Sequence, residues 1–440
     1  MHSLFSELRK IGRDILTTVS SLAKINSLLH VPLYSNALYL MLANVANALF
    51  GFVFWIIATR LYSTDAVGVA SAIISAAALL EMLSGLGLSY GLLRFLRASD
   101  NAIKLINSTF TLTGFLSLLA ACIFIIGLDI WSPGLSIIRQ NPWYLAIFLL
   151  YVPILVLDDL TDPVMMAGQQ AKFIFVHALI FNILRLALPV LLVVFFKSFG
   201  IFASWGAATL VGFLVSIFIL LPHVQPGYRP FLMVDKKEVS KVLHFSFLNY
   251  LGDLFWTMPG LILPIIVLDL RGAESNAYFY MAWTMSSMLA MIPTAVATSL
   301  LVQGTYDEAK LKNLAGRSLK MIMVLLVPAV ILVWFLADKL LMFYGGLYAD
   351  NAATLLRWLA IAAFPLAINI VYFSIRRVQK NVKSIILLAV IMAFVTVLGS
   401  YLLLPRLGID GVGIAWLGGQ GITALIAIIM GAKILGAKVN

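Results

Sequence analysis

Apolar runs of about 20 residues alternate with short polar segments along most of this chain. A helical run of that length crosses the roughly 30 Å of hydrocarbon in a bilayer. Twelve such runs are predicted, at 36–59, 67–92, 105–127, 143–166, 173–196, 200–221, 246–268, 277–301, 318–337, 353–373, 384–404 and 409–431. The pattern therefore predicts an all-α integral membrane protein with twelve transmembrane helices.

The longest hydrophilic connection lies between the sixth and seventh runs, at 222–245. It contains three prolines, one glycine and the charged sequence DKKEVSK. Because proline and glycine interrupt regular structure, we predict a cytosolic linker here, between an N-terminal lobe at 36–221 and a C-terminal lobe at 246–440. Ahead of the first lobe, residues 1–35 place apolar side chains on one stripe, which predicts an amphipathic helix on the membrane surface or, alternatively, a frayed cytosolic tail.

The two predicted lobes echo each other in sequence. Residues 55–69 resemble 264–278 at an offset of 209, and 193–210 resemble 401–418 at an offset of 208. Each echo has only three identities, but their offsets nearly agree, as expected of a duplicated bundle. Six spans is an even number, so both copies enter the membrane from the same side. We therefore expect two parallel six-helix bundles related by a pseudo-two-fold axis along the membrane normal.

Composition changes this picture little but excludes several functions. The chain is 62% hydrophobic and 11% charged, and it has one cysteine, Cys122, and five scattered histidines. These numbers exclude a disulfide framework and a cysteine-built metal site. No GxSxG, P-loop or HExxH sequence is present, so we predict no enzymatic activity and no cofactor. The net charge of +11 does not indicate nucleic-acid binding, because the basic residues fall in short loops.

The distribution of those basic residues predicts the orientation in the membrane. With a cytosolic N-terminus, 22 of the 30 Lys and Arg residues lie on the cytosolic side, seven lie on the other side, and Arg185 lies within a span. Positive residues concentrate on the cytosolic side of membrane proteins. Both termini are therefore predicted to be cytosolic, in a plasma membrane.

Polar residues inside the spans are candidates for function, because burying them in lipid costs free energy. Counting helical rise from the cytosolic boundary puts most of them in one layer between the inner third and the middle of the membrane. The candidates for substrate binding are Asn44, Asn47, Glu81, Arg185, Asn249 and Asp253. Asp253 is the repeat counterpart of Asn44. One layer drawn from both copies predicts a substrate cavity between the lobes.

Two carboxylates of the fourth span have alternative interpretations. Asp158 and Asp159 either bind substrate or a coupling ion, or form a structural ion pair with Arg185 of the adjacent fifth span. Glu81 and Asp253 have no partner close in sequence, which favours a role in the cavity. The asparagines have the alternative of binding a neighbouring helix.

Three segments resemble a known family. They are NVANALFGFVFWIIATRLYSTDAVGVASAI at Asn44–Ile73, GLGLSYGLLRFL at Gly85–Leu96 and PRLGIDGVGIAWLGGQGI at Pro405–Ile422. Together with the twelve spans, they are similar to the polysaccharide (O-antigen-type) flippases of the multidrug/oligosaccharidyl-lipid/polysaccharide exporter superfamily. The resemblance covers most of the chain.

The resemblance implies an alternating-access flippase that moves a polyprenyl-linked oligosaccharide from the cytosolic to the outer leaflet. Its expected partners are the lipid-linked glycan, membrane lipids, and glycosyltransferases or a polymerase of the same pathway. Such flippases bind the pyrophosphate with cationic residues, and Arg60, Arg94 and Arg271 lie at span ends, where they could contact phosphate at either opening of the cavity. The acidic layer around Glu81 departs from that pattern. It leaves a cation-coupled multidrug antiporter of the same superfamily as the alternative, and a non-transporting scaffold for glycan assembly as a third class.

Overall fold

The computed structural model describes residues 32–196, 199–307 and 310–436, which are helical almost throughout. The spanning helices are α1 (Pro32–Leu61), α2 (Thr64–Gly85), α3 (Ala102–Ile126), α4 (Pro142–Asp159, continued by Thr161–Ala167), α5 (Ala171–Phe196), α6 (Gly200–Val215, continued by Ser216–Leu220 and Leu221–Val224), α7 (236–271), α8 (273–306), α9 (Leu311–Leu341), α10 (Gly346–Val378), α11 (Val382–Leu407) and α12 (Ile409–Gly436). Short helices lie between them at Leu88–Phe95, Leu96–Ala98, Leu128–Trp131, Pro133–Leu135 and Ile137–Gln140. The predicted surface helix at 1–35 lies outside the described residues, apart from 32–35, which begin α1.

One continuous helical stretch accounts for both α7 and α8. Lys236–Tyr306 comprises 71 residues, and its apolar part is 57 residues long. At about 1.5 Å per residue, 57 residues span about 85 Å, more than twice the hydrocarbon thickness. Gly272 divides the stretch, because its φ of 85° and ψ of 173° are not helical. Of the eleven apolar helices found among the described residues, this one crosses twice, so the predicted twelve spans are confirmed.

The connection between the lobes is shorter than predicted. Only 225–235 is non-helical, and the predicted linker residues 236–245 form the first turns of α7. Asp235 caps this helix, because its Oδ1 accepts hydrogen bonds from the backbone N–H groups of Lys237 at 3.0 Å and Glu238 at 3.3 Å. Such a cap lets a highly charged sequence start a helix outside the apolar run. We call the end of the bundle that carries 225–235 the linker end.

At the opposite end, α1 of the first lobe reaches the second lobe. The Arg60 guanidinium donates from Nη2 to the backbone carbonyl oxygens of Met342 at 3.3 Å and Phe343 at 3.4 Å, at the end of α9. The Phe52 ring packs edge-on against Phe343, with centroids 5.9 Å apart. We call this contact the Arg60 latch.

A second contact at the same end joins α7 of the second lobe to the first lobe. Asp269, near the end of α7, accepts hydrogen bonds from the Ser132 hydroxyl at 3.2 Å and the Gly134 N–H at 2.8 Å, in the loop after α3. We call this contact the Asp269 latch. Adding the repeat offset of 209 to Arg60 gives Asp269, and adding it to Gly134 gives Phe343. The two latches are therefore equivalent contacts of the two copies, as a pseudo-two-fold axis along the membrane normal requires.

The lobes also pack closely where α2 meets α8. A Cβ added to Gly68 would lie 1.8 Å from the carbonyl oxygen of Ala273, so the backbones touch only because residue 68 is glycine. The fully buried Asn276 donates from Nδ2 to the Gly68 carbonyl at 2.7 Å and to the Ser71 hydroxyl at 3.1 Å. Small residues and buried amides of this kind join helices in membranes.

Candidate substrate cavity

A cavity of about 330 Å³ lies between the two lobes in the half of the bundle nearer the linker end. The first lobe contributes the carboxylates of Glu81 and Asp159 to its wall, and α7 of the second lobe contributes Asp253 and Thr257. Three predicted residues from three helices therefore meet in one cavity, which we call the acidic cavity.

Asp253 links the lobes at the edge of the acidic cavity. Its carboxylate accepts a hydrogen bond from Arg377 Nη2 of α10 at 2.7 Å. The Tyr90 hydroxyl of the first lobe donates a short hydrogen bond to the same carboxylate. Asp253 is thus held by one residue from each lobe, and both partners are distant in sequence.

A second and more basic cavity of about 580 Å³ adjoins Asp253 at the linker end. The cationic side chains in its lining are Arg94, Arg377 and Lys380, with Asp253 as the carboxylate. Arg94 also lies over the Phe95 ring, 5.6 Å from its centroid. We call this cavity the basic mouth. Arg94 was a predicted candidate, whereas Arg377 and Lys380 entered the sequence analysis only as part of the topological charge.

Arg185 lies within the first lobe, on one wall of a cavity of about 220 Å³ that also includes Glu81. Its Nη2 donates to Asn182 Oδ1 at 2.6 Å, and its guanidinium lies 5.0 Å from the Phe181 ring and 4.9 Å from the Trp205 ring. Within the described ranges, no carboxylate lies within salt-bridge distance of Arg185. The ion pair considered between Arg185 and Asp158 or Asp159 is absent from this conformation.

Asp158 pairs instead with His177 of α5, whose Nε2 lies 3.0 Å from Asp158 Oδ1. Asp158 meets His177 and not Arg185 because of how deep each residue lies along the antiparallel helices α4 and α5. Counted from the turn near residue 169, Asp158 is about 16 Å deep, His177 about 12 Å and Arg185 about 24 Å. Sequence reasoning missed His177, although it shares a helical face with Arg185 at a spacing of eight residues.

The predicted asparagines differ in their contacts and exposure. Asn182 Nδ2 donates to Asn47 Oδ1 at 2.6 Å, so Asn47 joins α1 to α5 and lies in the cavity beside Arg185. Asn44, one turn earlier on α1, is exposed. The side chain of Asn249 lies outside the part of the chain that the structure describes.

The two remaining predicted arginines lie far from the basic mouth. Arg60 forms its latch at the opposite end. Arg271 lies at that end too, with Nη2 3.7 Å from where a Cβ on Gly408 would stand. Of the three arginines predicted to contact phosphate, only Arg94 lines a cavity at the linker end.

A third cavity of about 310 Å³ lies deeper between the lobes and shares Thr257 and Leu261 with the acidic cavity. Its lining is uncharged and largely aromatic, and it includes Ser75, Trp256, Gly260, Tyr280, Trp283 and Trp416. We call it the aromatic cavity. Sequence reasoning missed it, because its tryptophans belong to α7, α8 and α12 and form no local pattern.

Comparison with known proteins identifies relatives of this arrangement. The sequence profile of the family described as "Polysaccharide biosynthesis protein" matches residues 33–302. A search of curated protein sequences gave no significant match.

Solved structures with the same fold are transporters. The lipid II flippase MurJ, in an inward closed conformation, aligns with a TM-score of 0.74 at 14% identity over 90% of this chain and 87% of its own. An inward-facing multidrug resistance MATE family transporter of the MOP superfamily aligns with a TM-score of 0.70 at 13% identity, over 91% and 98%. A MOP superfamily transporter from Pyrococcus furiosus, described by the reverse polarity of its binding pocket, gives a TM-score of 0.63 at 14% identity, over 93% and 97%. These likenesses show the fold of the two-bundle MOP transporters.

Proposed function

Because this chain belongs to the polysaccharide biosynthesis protein family, we propose that it is an alternating-access flippase for a lipid-linked oligosaccharide. The observation that carries the proposal is the basic mouth, where Arg94, Arg377 and Lys380 surround a space of about 580 Å³ at one end of an interlobe cavity. A diphosphate is a strong acceptor for such charge-assisted hydrogen bonds. The lipid II flippase among the structural relatives moves a substrate of this general class.

In the proposed orientation the linker end is cytosolic, as the 22 Lys and Arg residues assigned to that side indicate. The lipid-linked glycan enters through the basic mouth with the polyprenyl chain remaining in the bilayer. The latches at the opposite end keep the outer side closed in this conformation. Opening them while the linker end closes would release the glycan to the outer leaflet.

Neutralising the basic mouth tests the proposal. In proteoliposomes that contain a polyprenyl-diphosphate disaccharide, the double variant R94Q/K380Q should flip the substrate about 100-fold more slowly or worse, because the two lost charged hydrogen bonds contribute about 1.5–3 kcal/mol each. Flipping is measured as access of a membrane-impermeant glycosidase to the disaccharide. The matched control is Lys320→Gln, an exposed residue of α9 near the same end. Unchanged flipping by R94Q/K380Q would contradict the proposed function.

The alternative function is a cation-coupled multidrug antiporter. The observation in its favour is the pair of carboxylates, Glu81 and Asp159, in the acidic cavity. It predicts that the protein exports a cationic dye from vesicles when a proton or sodium gradient is applied, and that Glu81→Gln abolishes the export. Dye export without glycan flipping would establish the antiporter.

A further inference from the structure

We propose that the aromatic cavity is a saccharide subsite, which holds the sugar ring next to the diphosphate of the transported lipid. The inference rests on the proposed function and deepens it by assigning the glycan, as distinct from the phosphate, to a particular part of the protein. Pockets for small ligands have volumes of about 300–1,000 Å³, are mostly apolar and aromatic, and hold a few well-placed polar groups. The aromatic cavity, at about 310 Å³, meets that description.

The tryptophans of this cavity are fixed in orientation. Trp283 and Trp416 meet edge-to-face, with centroids 4.8 Å apart and planes at 72°. Trp256 meets Phe373 in the same way at 4.8 Å and 67°. All three indoles are half-buried, so each keeps free surface toward the cavity. Rigid, amphipathic aromatic surfaces of this kind can stack on the C–H face of a pyranose ring.

Glycine maintains the space in front of one of these rings. A Cβ added to Gly260 of α7 would lie 3.1 Å from Trp283 Cζ2. A larger side chain there would fill the cavity from the opposite wall. The room beside Trp283 therefore depends on residue 260 having no side chain.

Hydrogen-bonding groups surround the aromatic surface where the hydroxyl groups of a sugar would lie. Ser75 and Tyr280 belong to the lining, and Thr257 lies where the aromatic and acidic cavities join. Glu81 and Asp159 of the acidic cavity can accept bonds from hydroxyls that point toward the linker end. Carboxylates form strong bonds with such donors.

The position of the subsite matches the geometry of a diphosphate-linked sugar. Asp253 belongs to the basic mouth, and Thr257, four residues later on α7, belongs to the aromatic cavity. Four residues of helix correspond to a rise of about 6 Å. A phosphate in the mouth therefore places the first ring one helical turn deeper.

The absence of charge in the lining favours a neutral sugar over an organic cation. Aromatic cages do bind quaternary ammonium groups. A cation in this cavity, however, would have no carboxylate in the lining itself as its counter-ion, because Glu81 and Asp159 lie in the adjoining acidic cavity. A neutral, hydroxyl-rich ring needs no counter-ion in the lining.

The test separates the sugar from the phosphate with two soluble probes: a short-chain prenyl diphosphate carrying a disaccharide, and the same prenyl diphosphate without sugar. Their binding to the full-length protein in nanodiscs is measured by calorimetry. The wild type should bind the disaccharide probe about ten-fold more tightly, since aromatic contacts contribute about 0.5–1.5 kcal/mol each. Trp416→Leu should remove that difference and leave binding of the sugar-free probe unchanged, whereas Trp416→Phe should retain most of it.

The control is Trp143→Leu, which alters a tryptophan that is 73% exposed at the start of α4. Equal affinity of the wild type for both probes would overturn the saccharide subsite while leaving the proposed function standing. If R94Q/K380Q weakens both probes equally, phosphate binding at the mouth is separate from sugar binding, which supports the subsite.

Failure of the wild type to bind either probe would overturn the proposed function together with the subsite. Tight binding of tetraphenylphosphonium that is lost in Trp416→Leu would assign the cavity to organic cations instead.

Discussion

At the scale of single residues, the buried charges of this protein are held by different kinds of partner. Asp253 is held by a tyrosine and an arginine, and Asp158 by a histidine. Arg185 is held by an amide and by aromatic rings. Arg185 is therefore held without a salt bridge among the described residues, although Glu81, Asp158 and Asp159 line the same cavity.

Arginine is therefore the required residue at 185, and lysine should not replace it. Arg185→Lys loses the planar contact with Phe181 and Trp205, each worth about 0.5–2 kcal/mol, and changes the bond to Asn182. We expect a lower melting temperature in detergent, measured by differential scanning fluorimetry. Arg317→Lys, an exposed position on α9, is the matched control and should melt like the wild type. Equal melting of the two variants would show that the rings contribute nothing.

At the scale of helices, the break between α7 and α8 depends on one glycine. Gly272 has a φ of 85° and a ψ of 173°, a region that is essentially restricted to glycine. Gly316, in the helix α9, has a negative φ. No atom lies within 4 Å of an added Cβ at either position. Comparing the two therefore separates backbone strain from crowding.

Gly272→Ala should destabilise the protein by about 1–3 kcal/mol, because alanine is strained in this conformation. Gly316→Ala should be neutral or stabilising by up to about 1 kcal/mol, because alanine favours helix. Both are measured as shifts in melting temperature relative to the wild type. A stabilising effect at both positions would mean that residue 272 adopts an ordinary helical conformation in the membrane.

The helices were predictable from the sequence because the length of an apolar run is a local property. The predicted spans 246–268 and 277–301 fall on either side of Gly272, and the orientation of both copies follows from an even number of spans.

The partners of the predicted site residues were not predictable. Asp253 and Arg377 are 124 residues apart. The aromatic cavity likewise needs three helices to be packed before its tryptophans become neighbours. The start of α7 was misplaced because charge was interpreted as linker, whereas Asp235 caps a helix there.

At the scale of the whole molecule, the latches close the end opposite the linker. We expect R60A/D269A to open it more often, by about ten-fold if the lost bonds contribute about 1.4 kcal/mol. In a Cys122→Ala background, Ser75→Cys places a thiol in the aromatic cavity. Its alkylation by an impermeant maleimide, added from the side opposite the linker, measures the opening.

Arg139→Ala is the control for this experiment. Arg139 pairs with Asp129 at the same end, and both residues belong to the segment between α3 and α4. Removing the Arg139 side chain therefore breaks an ion pair within the first lobe and not one between the lobes. If R60A/D269A and R139A were alkylated at the same rate, the latches would not govern access from that side.

The two latches also show how the duplicated halves have diverged. Equivalent positions hold an arginine in one half and an aspartate in the other, and each faces groups of the opposite hydrogen-bonding character: carbonyls for Arg60, and a hydroxyl and an N–H for Asp269. Two copies of the first half would put a second Arg60 where Asp269 now stands, and the bonds that the Asp269 carboxylate accepts from Ser132 and Gly134 would be lost. The present halves have therefore specialised for each other, and two copies of the first half would not reproduce both contacts at the end opposite the linker.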